Sequence, residues 1–104
     1  MKRGEVWWAQ FSLPVGRRPV VLLSRDSAYR VRNAVTVAPV TRTIRNIPVE
    51  VLLDRQDGLP ARGVVNADNI TTIPKTLLKQ RITILSAERI QQIEEAIRFA
   101  LNLP

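Results

Sequence analysis

Apolar residues in this chain come in short, β-branched runs, each closed by proline, glycine or a polar cluster, and only the C-terminal stretch repeats at helical spacing. Glu5 to Phe11 reads as a strand with Val6, Trp8 and Phe11 toward the core, although Trp7 breaks the alternation. Pro19 to Ser24 contains a five-residue apolar run too short for a helix, so it reads as a strand buried on both faces. Ala34 to Val40 and Pro48 to Leu53 are further strands, with Pro39 expected at a bulge or sheet edge. Gly63 to Ala67 and Asn69 to Ile73 form two more, or one strand bent at Asp68. Ser12 to Gly16 and Asp57 to Pro60 have turn chemistry, and Arg25 to Arg30 is a polar connection with room for a helical turn. Pro74 predicts the first position of a short helix over Lys75 to Lys79. The one long helix opens at Ser86 as N-cap, carries Glu88 in its first turn, and aligns Ile90, Ile93, Ile97 and Leu101 on one face. Five or six short strands followed by a helix predict a mainly β, α+β fold, a small, strongly curved barrel with the C-terminal helix packed against it.

Composition narrows the chemistry. At 104 residues and 45% hydrophobic content, the expectation is one folded domain over 1–104. There is no cysteine and no histidine, which removes disulfides, thiolate metal sites, the commonest metal ligand and the commonest general acid/base. No run approaches the roughly 20 apolar residues of a membrane span, and too few apolar residues follow Met1 to Glu5 for a signal peptide, so a cytoplasmic location without membrane contact is expected. Net charge is +7, and 13 of the 16 basic residues are arginine. Seven of these (17, 18, 25, 30, 32, 42 and 45) fall in one segment whose only acid is Asp26. Charge so concentrated points to a face for a polyanion, and arginine suits forked contact with phosphate. Arg17, Arg25, Arg30, Arg42 and Arg45 are the candidate contacts, with Tyr29 among them as a base-stacking residue. Trp7, Trp8 and Phe11 read either as stackers or as packing residues.

Two side chains are placed for more than binding. Pro19 fixes its own φ and pushes Arg18 toward an extended conformation, which sets the direction of that guanidinium where the strand enters the core. Thr41 ends the next strand, and sequential strands usually neighbour one another. RNA carries its own nucleophile, the 2′-hydroxyl, so a protein that cuts it need only position, move protons and stabilise charge on the phosphoryl oxygens. Arginine and a hydroxyl can do much of that. Read without this chemistry, Arg17 and Arg18 are solvated strand-end charges and Thr41 caps a turn.

Arg3-Gly4-Glu5-Val6-Trp7-Trp8, Arg17 to Ser24, Val37-Ala38-Pro39-Val40-Thr41, Asp68-Asn69-Ile70 with Lys75 and Leu78, and Leu85-Ser86 opening a helix follow one another in an order that resembles the MazF/PemK family of toxin endoribonucleases. The resemblance implies a PemK-like, SH3-type barrel and a homodimer. It implies cutting of single-stranded RNA (mRNA, with tRNA and rRNA as further classes) without metal or cofactor, leaving a 2′,3′-cyclic phosphate and a 5′-hydroxyl. An acidic, MazE-like antitoxin is implied as partner, and Arg18 and Thr41 as the catalytic pair. Two departures stand out. The loop Ser12 to Gly16 is short and lacks the family's acidic residue, and Thr71 stands where a basic residue is usual. Asp26, Asp68, Glu5 or a water relay remain as ways to move protons, because arginine is a poor base. A CcdB-like gyrase-binding toxin of the same fold and a non-catalytic RNA-binding module are the rival readings.

Overall fold

All 104 residues are described by a computed structural model. Its centre is β2 (Arg17–Leu22), held antiparallel between β1 (Glu5–Gln10) and β3 (Ala34–Thr41). Val21 enters one hydrophobic cluster while Val20 and Leu22 enter another, so the run is apolar throughout because both faces of the strand are covered. A four-residue helix α1 (Ala28–Val31) links β2 to β3, in the polar connection where a helical turn was expected.

β4 (Glu50–Leu53), β5 (Gly63–Asn66), β6 (Thr71–Pro74) and β7 (Leu78–Ile84) complete a curved antiparallel sheet in the order β4-β5-β3-β2-β1-β7, with β6 also on β3. β4 and β7 are edges, so the sheet curls like a barrel without closing. β3 changes partner along its length, bonding β6 over Ala34–Val37 and β5 at Val40–Thr41. Pro39 sits at that change, where its missing N–H leaves no ladder bond unmade. Gly63–Asn66 and Thr71–Pro74 are separate strands, divided by a 3₁₀ turn over Ala67–Asn69.

The short helix expected at Lys75–Lys79 is absent. Lys75–Leu77 makes a single 3₁₀ turn and the chain continues as β7. The β1–β7 register shifts twice, between Val6 and Trp7 and between Trp8 and Ala9. Such irregularities destroy the period-2 alternation by which a strand is recognised.

α2 (Ala87–Leu101) begins where the sequence places it, with the Ser86 hydroxyl oxygen accepting from the Arg89 N–H at 3.1 Å. Ile93 and Ala96 are buried against the first cluster, with Ile90 and Ile97 packed beside them. Leu101 departs from the expected stripe and is exposed, as are Phe99 and Leu103.

Two carboxylates tie the fold together. Glu5 is buried and accepts from the Lys2 N–H at 3.1 Å and the Trp7 indole at 2.9 Å, with Arg81 at 3.5 Å. Asp57 accepts from Arg89 of α2 at 3.0 Å and from the Asp54 N–H at 2.9 Å. Burial pulls both carboxyls up, but these donors outweigh it and hold both below their ordinary values. A carboxyl depressed in the folded state contributes stability above its unfolded pKa and loses it as pH falls through the folded one. The thermal midpoint is therefore expected to be level from about pH 8 to 5 and to fall below about pH 4. Glu5→Gln or Asp57→Asn should lower the neutral-pH midpoint and flatten that fall. A midpoint independent of pH down to 3 would remove both carboxylates from this role.

Candidate active site at a fork in the sheet

The β2–β3 ladder runs from Leu22↔Val37 to Val20↔Pro39 and stops. Beyond it β2 stays with β1 as far as Gln10↔Arg17, while β3 stays with β5 on its other edge. Continuing the register two steps would set Arg18 against Thr41, but by then the strands have parted, and the gap between them is a cleft of about 430 Å³. Arg18 and Thr41 both line it. They share one basin because the same fork that separates their backbones opens the space between their side chains.

The other walls come from three places. Trp8 and Arg17 stand on the β1–β2 side, Arg42 and Thr43 follow β3, and Leu59 to Gly63 form the wall leading into β5. Gly63 allows β5 to approach this closely, since a Cβ there would lie 2.6 Å from the Thr41 carbonyl oxygen. The 59–63 wall rests on a braced root. Asp54 caps a 3₁₀ turn over Arg55–Asp57, Asp57 is bonded to α2, and Gly58, at φ +94°, lies against Thr83 of β7, where a Cβ would overlap the hydroxyl.

Thr41 is held by its neighbour. Its hydroxyl oxygen accepts from the Thr43 N–H at 3.2 Å and donates only a long 3.4 Å bond to the Thr43 carbonyl, so the oxygen is fixed while its proton is easily redirected. Arg17, Arg18, Arg42 and Arg62 put four guanidinium groups around the cleft and no carboxylate lines it. The three ion pairs of the protein involve Arg3, Arg81 and Arg89 instead. The cleft is a cationic basin whose charge no protein group neutralises.

Several expected contacts lie elsewhere. Tyr29 is not a stacking residue: it is buried at 6% exposure in the second cluster, and its hydroxyl donates to the Ser24 carbonyl at 3.0 Å. Burial first, and Asp26 second, push its phenol up to about 12. Arg25 and Arg30 follow the far end of β2, where Leu22 lies about 13 Å along the strand from Arg18. Arg45 lies in the β3–β4 connection, where its N–H and that of Asn46 donate to the Glu50 carboxylate. None of the three lines the cleft. Trp8, expected in the core beside Val6, lines the cleft instead, while Trp7 and Phe11 pack on the second cluster.

The carboxylates considered for proton transfer are also engaged elsewhere. Asp26 accepts from the Arg3 N–H at 2.7 Å, Glu5 is consumed by the contacts described above, and Asp68 lies in the 67–69 turn. Thr71 pairs with Val37, four residues before Thr41, so the missing basic residue there does not change the cleft lining. Arg62 was not anticipated. It lies outside the arginine-rich segment, in a stretch where charges nearly balance, and only its place beside Gly63 after a turn hinted at it.

Comparison with known proteins places this geometry. Residues 2–101 match the family described as PemK-like, MazF-like toxin of type II toxin-antitoxin system. A Mycobacterium tuberculosis protein named probable endoribonuclease MazF5 is 42% identical over 102 residues, spanning 96% of this chain and 92% of its own length. The solved structure of Mycobacterium tuberculosis toxin MazF-mt6 superposes with a TM-score of 0.88 at 36% identity, covering 96% of this chain and 98% of that one. An endoribonuclease in complex with its cognate antitoxin, from mycobacterial species, gives 0.88 at 32% identity over 100% of this chain and 97% of that one. With a family match across nearly the whole sequence and a relative this similar over its full span, the chain belongs to the PemK-like, MazF-like toxins of type II toxin-antitoxin systems.

Proposed function

We propose that the forked cleft binds single-stranded RNA and that Arg18 and Thr41 cut it there. The protein is a toxin endoribonuclease of the MazF type, acting as one domain over 1–104 and as a homodimer in the cytoplasm, and inhibiting translation by cleaving message. The observation that carries the reading is the convergence of Arg18 and Thr41 on one carboxylate-free basin ringed by Arg17, Arg42 and Arg62.

The 2′-oxygen of one nucleotide attacks the adjacent phosphorus, the bond to the 5′-oxygen breaks, and the products are a 2′,3′-cyclic phosphate and a 5′-hydroxyl. Charge grows on the non-bridging oxygens. Arg18 donates to them from a fixed strand end, and Thr41 turns its proton from the Thr43 carbonyl to the same oxygens while the Thr43 N–H keeps its oxygen in place. The 2′-hydroxyl proton leaves through water, since no carboxylate or imidazole lines the cleft, and water returns a proton to the 5′-oxygen. No group of three or more His, Cys, Asp or Glu side chains is placed to hold a metal ion. The cognate antitoxin supplies an acidic, partly disordered segment that occupies the basin and competes with RNA.

Incubation of the pure protein with single-stranded RNA in EDTA tests this. Cutting to 5′-hydroxyl products is expected, with log kcat rising steadily from about pH 6 to 9, because no carboxylate, imidazole, thiol or amine side chain lines the cleft. Binding without cutting would favour an RNA-binding module, and neither would favour a protein-targeting toxin. A bell-shaped profile centred near neutrality would place a titrating base where none is drawn.

A further inference from the structure

Trp8 and Arg17 form a pair that the cleavage chemistry leaves unused. The Arg17 guanidinium lies over the Trp8 ring, 4.3 Å from its centroid. The contact is built into the sheet: Trp8 faces Pro19 and Gln10 faces Arg17 in the β1–β2 ladder, so the two are diagonal neighbours on one face. The β1–β2 register is unbroken, so Trp8 lies on the same face of β1 as Val6, two residues further along, where that face lines the cleft. Arg17 is exposed and has no acidic partner, so without the indole beneath it the side chain would be free to move.

We infer that Trp8 and Arg17 are a stacked platform for one nucleobase, the base beside the phosphate held by Arg18, an inference that rests on reading the cleft as an RNA site. Indole covers one side of the guanidinium, and the other side is available to a ring entering the cleft. Planar guanidinium groups stack bases as aromatic rings do, and this one is oriented in advance. Phosphate contacts do not need it, because Arg18, Arg42 and Arg62 supply them from the other walls. The pair therefore acts in specificity and substrate positioning. A base is favoured over a sugar or a phosphate because Trp8 fixes the plane of the charge as well as its position.

Arg17→Lys keeps the charge and removes the plane. Affinity is measured by fluorescence anisotropy with uncleavable all-2′-deoxy single strands at fixed salt, either intact or with one abasic site moved along the strand. The intact strand is expected to bind Arg17→Lys on the order of tenfold more weakly than the wild type, and one abasic position should weaken the wild type by the same factor while leaving Arg17→Lys unchanged. Trp8→Leu should repeat the pattern, and Arg17→Lys, altering an exposed side chain, carries the test if Trp8→Leu fails to fold. Equal affinity of Arg17→Lys and wild type, or a loss insensitive to every abasic site, overturns the platform. RNA cutting by the wild type, run in parallel, decides the nuclease reading separately, since a base platform on a protein that does not cut would leave this inference standing.

Discussion

Arg18→Ala is expected to lower kcat by about 10² to 10³-fold, the usual loss when one donor to a transition-state oxyanion is removed. KM should change little, because Arg42 and Arg62 still attract the phosphate backbone. The fold should not suffer. Arg18 is half-buried at a strand end and belongs to none of the three ion pairs, so truncation breaks no pair and relieves repulsion among four guanidinium groups. A thermal midpoint equal to or above wild type is therefore expected alongside the lost activity, as is common where a functional site holds uncompensated charge. Measuring kcat, KM and the midpoint on one preparation checks all three, and near-normal turnover would remove Arg18 from the mechanism.

Gly63→Ala should damage the protein by another route, although residue 63 donates nothing to substrate. Its Cβ would meet the Thr41 carbonyl oxygen at 2.6 Å and the Val40 side chain at 3.0 Å. The first of these is backbone, so β3 and β5 must move apart at the fork. Overpacking of this kind costs about 1–3 kcal/mol of stability. The displacement is centred on Thr41, and an error of about 1 Å in a catalytic group can lower the rate about 100-fold. A drop in kcat larger than unfolding at the assay temperature explains is the expected signature. If Gly63→Ala loses stability but keeps full activity in its folded fraction, Thr41 is not held in register by β5.

The contrast between the two variants separates charge from placement. Arg18 acts through what it carries, and Gly63 through what it lacks. Both effects arise from the fork, where β3 keeps β5 on one edge and loses β2 on the other. The acid-sensitive bonds of Asp57 act on the same site from further away, since they brace the root of the 59–63 wall against α2. Below about pH 4, where stability first falls, activity is therefore expected to drop more steeply than it does between about pH 9 and 6.

Local signals in the chain were enough for the elements whose residues answer to their immediate surroundings. β2 announced itself through an unbroken apolar run and α2 through its Ser86 cap and isoleucine spacing, whereas Pro39, expected at a bulge or sheet edge, lies inside the sheet where β3 passes from β6 to β5. The direction of Arg18 followed from Pro19, and Thr41 from its place at a strand end, so both could be named from sequence and resemblance together. β7 stayed hidden because its pairing with β1 is irregular and its exposed Lys79-Gln80-Arg81 run shows no alternation.

Other properties depend on where the strands part, and only the tertiary structure decided those. An arginine cluster in sequence spreads over both ends of β2, so Arg25 and Arg30 are carried away from Arg18 while the distant Arg62 is brought to it. Tyr29, surrounded by arginines in the sequence, is turned into the second core, and Trp8 lines the cleft rather than joining the first. The sequence by itself determined the strands before Lys75, the C-terminal helix, the family and the cationic character. Which cations share a basin was set by the sheet, because side-chain alternation and twist assign each residue a face and a direction that depend on partners far away along the chain.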